Sequence, residues 1–183
     1  GDSTLNSIVN VGIVEDNVIY RNGRIGGAGI NMDSAQRMLV QNNLLYRNES
    51  GGITAFTQDG LESGDGNRIL GNTVYFGPGK GRFGVQVIGK VSRSLVRDNV
   101  LVCGKGPAIH IDSGTVPGLV ASRNLYFVYK KGLPAMIDEK RMSLADWQRK
   151  TGVDATSISR NPLFKDPSKD DFKLRENSPV HVL

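Results

Sequence analysis

Apolar residues in this chain come in short alternating runs broken by Asn and Gly, and the breaks recur. DNVIYRN at residues 16 to 22 returns as NNLLYRN (42 to 48), GNTVYFG (71 to 77), DNVLVCG (98 to 104) and RNLYFVY (123 to 129). Aligned on Asn17, Asn43, Asn72, Asn99 and Asn124, the copies step by 26, 29, 27 and 25 residues. Two residues past each Asn stands Ile19, Leu45, Val74, Leu101 or Tyr126; three past stands Tyr20, Tyr46, Tyr75, Val102 or Phe127. An apolar pair precedes each Asn: Ile13-Val14, Leu39-Val40, Ile69-Leu70, Leu95-Val96 and Leu119-Val120. A Gly-containing turn and a second alternating run come after it: AGINMD, GGITAF, FGVQVI and PAIHID.

Each repeat therefore holds three short strands separated by turns. The runs are too short and too β-branched for the three-to-four spacing of a helical solenoid. Three strands per repeat, stacked in register about 4.8 Å apart, make one coil of an all-β parallel β-helix, here of about six coils. Alternation sends Ile30, Ile53, Val85 and Ile109 inward as an aliphatic ladder. The five Asn residues are expected to point inward too, each amide bonding turn backbone and the equivalent Asn one coil away. They are structural residues, not a site.

The repeat over about residues 8 to 137 resembles the right-handed parallel β-helix family, the pectate-lyase-like superfamily of polysaccharide-active proteins. SLADWQRKTGVDATSI (143 to 158), NPLF (161 to 164), DDFKL (170 to 174) and SP (178 to 179) look like the closing segment of many bacterial members. Residues 1 to 140 are read as coils and 141 to 183 as the closing segment of the same domain. Within it, Ser143 is a fair N-cap, Leu144 and Trp147 share a helical face, and Gly152 ends the helix. The resemblance implies an interaction with carbohydrate and a secreted or periplasmic home. It leaves three functions open: a carbohydrate-binding protein, a polysaccharide lyase or glycoside hydrolase acting on an acidic glycan, and a non-catalytic structural or assembly module. Members usually begin with a capping helix and earlier coils, whereas this chain starts inside a coil near Thr4. Residues 1 to 7 are too polar to cap the end; the expectation is end-to-end pairing of two copies there, with a frayed first coil in a monomer as the alternative.

Composition adds bounds. At 183 residues the chain is one domain; its mean hydropathy of −0.27 and 23 Gly suit many short strands and turns. No stretch approaches the roughly 18 apolar residues of a membrane span, and residues 1 to 15 have no signal-peptide pattern. A lone Cys103 forms no internal disulfide and reads as a small buried hydrophobe. The net charge is +5, with Lys and Arg scattered. That is the pattern of a solvated surface, compatible with an anionic polymer; no nucleic-acid or membrane partner is expected.

Candidate chemistry lies on the strands after the Gly turns. Outward positions form two rows, Asn31, Thr54, Gln86, His110 and Asp33, Phe56, Ile88, Asp112. The resemblance makes this the sugar-binding face, and planar amides, carboxylates and an aromatic ring suit a sugar; Asn31, Asp33, Thr54, Phe56, Gln86, His110 and Asp112 are the candidate substrate contacts. No catalytic residue is assigned. A lyase needs an Arg or Lys base, for which Lys105, Lys80 and Arg82 are placed nearby; a hydrolase needs two carboxylates roughly 5–9.5 Å apart. Asp33 and Asp112 should lie about 14 Å apart, too far to be partners, while His110 and Asp112 sit about 6.5–7 Å apart on one strand. No mannuronan-epimerase-like Asp-Pro-His-Asp motif, pectate-lyase-like aspartate cluster or nucleophile elbow is present. Enlarged turns at 57 to 66 and 77 to 84 suit the walls of a groove. No cofactor is called for. Calcium is the one candidate, through Asp59, Glu62 and Asp65, which lack the full calcium-loop spacing. Finally, Val18, Leu44, Thr73, Val100 and Leu125, with the row Tyr20 to Phe127, form an external apolar stripe. The closing segment with Trp147, or a partner chain, is expected to cover it.

Overall fold

A computed structural model describes residues 10–24, 26–58, 64–89 and 91–183. The first coil comprises β1 (Asn10–Glu15), β2 (Val18–Tyr20) and β3 (Ala28–Asp33). The second comprises β4 (Gln36–Gln41), β5 (Leu44–Tyr46) and β6 (Gly51–Phe56), and the third β7 (Arg68–Leu70), β8 (Thr73–Tyr75) and β9 (Phe83–Val87). The fourth holds β10 (Leu95–Arg97), β11 (Val100–Cys103) and β12 (Ile109–Ile111). The fifth holds β13 (Val120–Ser122), β14 (Leu125–Val128) and β15 (Ala135–Ile137). Each strand pairs in parallel with its counterpart one coil on, giving three sheets. The coils number five, not six: the next strand, β16 (Lys140–Met142), turns back antiparallel on β15 and ends the winding.

The turn before each ladder Asn explains the repeat. Asp16, Asn42, Gly71, Asp98 and Arg123 all adopt the left-handed region, with φ between 54° and 62°. Gly, Asn and Asp tolerate that region, so they recur at this corner; Arg123 is the exception. The next residue, the ladder Asn, is thereby turned inward. Asn17, Asn43, Asn72 and Asn99 each donate Nδ2 to Oδ1 of the next Asn at 2.9 to 3.1 Å. Each main-chain N–H donates to that same oxygen. The inward position three residues before the Asn is Val14, Val40, Ile69, Val96 and Ala121. The apolar pair thus sits one residue later in the third coil and one earlier in the fifth, where Val120 points outward, 57% exposed.

After β16 comes the helix α1 (Leu144–Thr151), capped by Ser143, whose Oγ accepts from the Asp146 N–H, and closed by Gly152 at φ 73°. Trp147 is fully buried against the end of the solenoid core, not on the external stripe. Its indole is drawn inward because Nε1 donates to the buried Asp154 carboxylate at 2.9 Å. The same carboxylate accepts from Tyr126 Oη at 2.6 Å and from Asn124 Nδ2 at 3.3 Å, so it ends the Asn ladder. Elements C-terminal to α1 cover the stripe: β17 (Ile158–Ser159), which adds to the second sheet, and the hairpin β18 (Phe164–Asp166) and β19 (Asp171–Leu174). Phe172 lies 5.1 Å from Tyr46 and 5.2 Å from Tyr75, ring centre to ring centre. Among the described residues no helix is long and apolar enough to cross a membrane. The expected pairing through residues 1 to 7 falls outside the described residues.

Candidate carbohydrate-binding groove

The third sheet, β3, β6, β9, β12 and β15, carries the outward rows in the expected register: Asn31 beside Thr54, Thr54 beside Gln86, Gln86 beside His110. The next position is Met136. Asn31 stands exposed at the first-coil end. Thr54 is buried, and its Oγ1 donates to Gln86 Oε1 at 3.1 Å. Gln86 Nε2 meets His110 Nδ1 at 2.8 Å, and His110 Nε2 meets the Asp138 carbonyl at 3.0 Å. Both ring nitrogens of His110 are therefore taken by protein.

The second row stitches turns together. Asp33 Oδ1 accepts from the Gln58 N–H at 3.0 Å and from Ser34 Oγ. Asp112 accepts from the Gly89 N–H at 2.6 Å with Oδ2 and from Thr115 N–H and Oγ1 at 2.9 and 2.6 Å with Oδ1. Phe56 is half-buried. His110 and Asp112 are thus neighbours with different tasks: the carboxylate shapes a turn, and the imidazole floors a groove.

That groove has a volume of about 320 Å³ and is lined by Arg82, Phe83, Gln86, Lys105, Gly106, His110, Met136, Glu139 and Arg141. Of the candidate contacts it unites Gln86 and His110; Asn31, Asp33, Thr54, Phe56 and Asp112 lie outside its lining. Close stacking of two turns sets its wall. A Cβ on Gly106 would collide with the Arg82 carbonyl oxygen, and the Gly106 N–H donates to Gly81 O at 2.8 Å. Only a residue without a side chain lets the turn bearing Lys105 lie so near the turn bearing Arg82. Arg141 crosses from β16 and donates Nη1 to the Lys105 carbonyl at 2.9 Å.

Three cations face one carboxylate, Glu139, and no ion pair holds any of the three among the described residues. Unpaired charges gathered in a concave site attract anions more strongly than the same charges spread over a surface. Burial pushes the His110 imidazole below its ordinary value; the Asp138 carbonyl and the carboxylates of Glu139, Asp112 and Asp138 pull the other way and do not outweigh it. Arg82 and Lys105 were legible as nearby cations. Glu139 and Arg141 were not, because they arrive through the antiparallel return of β16, which pairs Arg141 with Met136. The short charged stretch DEKR, residues 138 to 141, was the only signal for them.

Lys80 lies elsewhere. It lines a separate cavity of about 500 Å³ with Arg47, Tyr75 and Phe76, on the side of the closing segment. Asp65 is held by Arg93 and accepts from Ser92 Oγ at 2.9 Å. Asp59 and Glu62 fall outside the described residues. Among those described, no three His, Cys, Asp or Glu side chains converge as a metal site.

A comparison with known families matches residues 3–135 to the right handed beta helix region. The chain belongs to that family, which the five parallel coils express. No curated protein and no solved structure matches it. The family match ends at residue 135, so Glu139 and Arg141 lie beyond it.

Proposed function

We infer that this protein binds an acidic polysaccharide or oligosaccharide in the groove of the third sheet. The observation that carries the reading is the set of three unpaired cations, Arg82, Lys105 and Arg141, around the Gln86–His110 floor. A uronate chain offers carboxylates to the guanidinium groups and hydroxyls to Lys105 and Glu139, while the half-buried Met136 gives an apolar surface for a ring face. The reading requires no turnover. A hydrolase would need a second carboxylate beside Glu139, and Asp112 is committed to its turn; His110 has no ring nitrogen free to move a substrate proton.

Calorimetric titration with soluble polygalacturonate and alginate fragments, against neutral dextran, tests this. Acidic chains should bind with an affinity that falls as salt rises, and dextran should not bind. Arg82→Glu with Lys105→Glu should weaken binding at least about tenfold while the fold melts as before. Equal binding of dextran, or indifference to the double charge reversal, would overturn the reading. Ultraviolet absorbance of unsaturated uronate, followed in the same mixtures, reports whether binding is accompanied by lyase turnover.

A further inference from the structure

We propose that Thr54, Gln86 and His110 form a proton-responsive relay in the groove floor, which strengthens the binding of an anionic glycan as the pH falls. The proposal rests on the anion-binding reading above.

The direction of the relay is fixed at one end. The Asp138 main-chain carbonyl faces His110 Nε2 at 3.0 Å and can only accept. A neutral His110 must therefore carry its proton on Nε2 and leave Nδ1 bare. Bare Nδ1 requires a donor, so Gln86 presents its NH2 there at 2.8 Å. That turns Oε1 toward Thr54, which must donate, as the 3.1 Å contact with Thr54 Oγ1 records. Three side chains from three successive coils thus have one consistent arrangement, set by a backbone group in the turn beyond the last of them.

Protonation reverses it. A proton added at Nδ1 would meet the Gln86 NH2 head-on. Relief comes from rotating the Gln86 amide by half a turn, so that Oε1 accepts from Nδ1–H. The NH2 group then points at Thr54, whose hydroxyl is able to accept. Thr54 is only 4% exposed, so water is a poor substitute at that end and the two movements are tied together. The result is a new positive charge on the floor between Arg82, Lys105 and Arg141, opposed by Glu139, Asp112 and Asp138. Without a ligand, burial of the ring resists that charge. A bound polyanion supplies its counter-charge. By linkage, a ligand that raises the proton affinity of His110 is itself bound more tightly when His110 is protonated.

The chain has only two histidines, His110 and His181, so imidazole NMR in a His181→Gln background reads His110 alone. In the free protein the ring nitrogens should report the Nε2–H tautomer, and a titration midpoint below 6.5. Gln86→Glu, which accepts from Nδ1–H without rotating, should raise the midpoint by about one pH unit or more. Affinity for a galacturonate tetramer should rise about 3- to 10-fold from pH 8 to pH 5, a range in which its carboxylates stay charged. His110→Gln should flatten that rise. An Nδ1–H tautomer in the free protein, or an unmoved midpoint in Gln86→Glu, overturns the relay whatever the ligand does. Binding with the same pH profile in wild type and His110→Gln overturns the coupling and leaves the anion-binding reading standing. No binding of the tetramer at either pH overturns that reading itself.

Discussion

Asn72 has its whole amide spoken for. Its Oδ1 accepts from Asn43 N–H and Nδ2, and its Nδ2 donates to Val40 O, Leu70 O and Asn99 Oδ1. A leucine of similar volume would leave those partners unmet in a region that excludes water. Asn72→Leu should therefore cost about 1–3 kcal/mol, read as a lower denaturation midpoint. An unchanged midpoint would mean that the ladder contributes shape without stability. This role was legible because Asn recurs at one place in every repeat. Asp112 was harder. Its position on the outward row was legible and its hydrogen bonds were not, since they depend on Gly89 and Thr115 folding back beneath it. Any loss of binding in Asp112→Ala must accordingly be separated from the loosening of that turn.

At the scale of elements, parallel coils are easy to read because alternation and turn chemistry repeat, each copy checking the others. Elements that occur once have no such check. The hairpin of β15 and β16 brings Arg141 to the groove, and the hairpin of β18 and β19 covers the second sheet; neither arises from a periodic pattern. That the external stripe needs a cover was legible from its apolarity. That Phe164 and Phe172, not Trp147, supply it depends on where the chain goes after α1. Val100, Val102 and Leu125 are buried beneath Phe164, whereas Tyr20, at the far end, stays 47% exposed and stacks on Tyr46 at 5.3 Å. Removing the half-buried ring of Phe172 takes away its contacts with Tyr46, Tyr75 and Phe164 together. Phe172→Ala should destabilise the closing hairpin by about 2–3 kcal/mol, less than a fully buried Phe→Ala. Protease should then cut within residues 159–171 while the coils keep their β-sheet circular dichroism. Unaltered protease resistance would show that the hairpin is held by its polar contacts, such as Arg47 with Asp170 at 2.8 Å.

Over the whole molecule, stability in a solenoid is shared between coils through nearest neighbours, so position along the axis matters. Coils three and four have a packed neighbour on both sides, and their inward residues Ile69, Val74, Leu101 and Ile109 are fully buried. In the first coil Val14 and Ile19 are only half-buried, and Val11, Ile13 and Val18 are more than half exposed. The fifth coil differs again: it is sealed by Asp154, which holds Tyr126, Trp147 and Asn124 in one buried knot. Amide exchange should be slowest in β8 and β11 and faster in β2. Asp154→Leu should remove the seal at a cost of about 3–5 kcal/mol, since it takes the acceptor from the buried Tyr126, Trp147 and Ser157 donors at once. Exchange in β13 and β14 should then accelerate to match or exceed that of β2, while β2 and β5 change least because at least two coils intervene. A uniform acceleration from β2 to β14 would show instead that the five coils open as a single cooperative unit, and that the knot at Asp154 stabilises the whole stack and not its last turn.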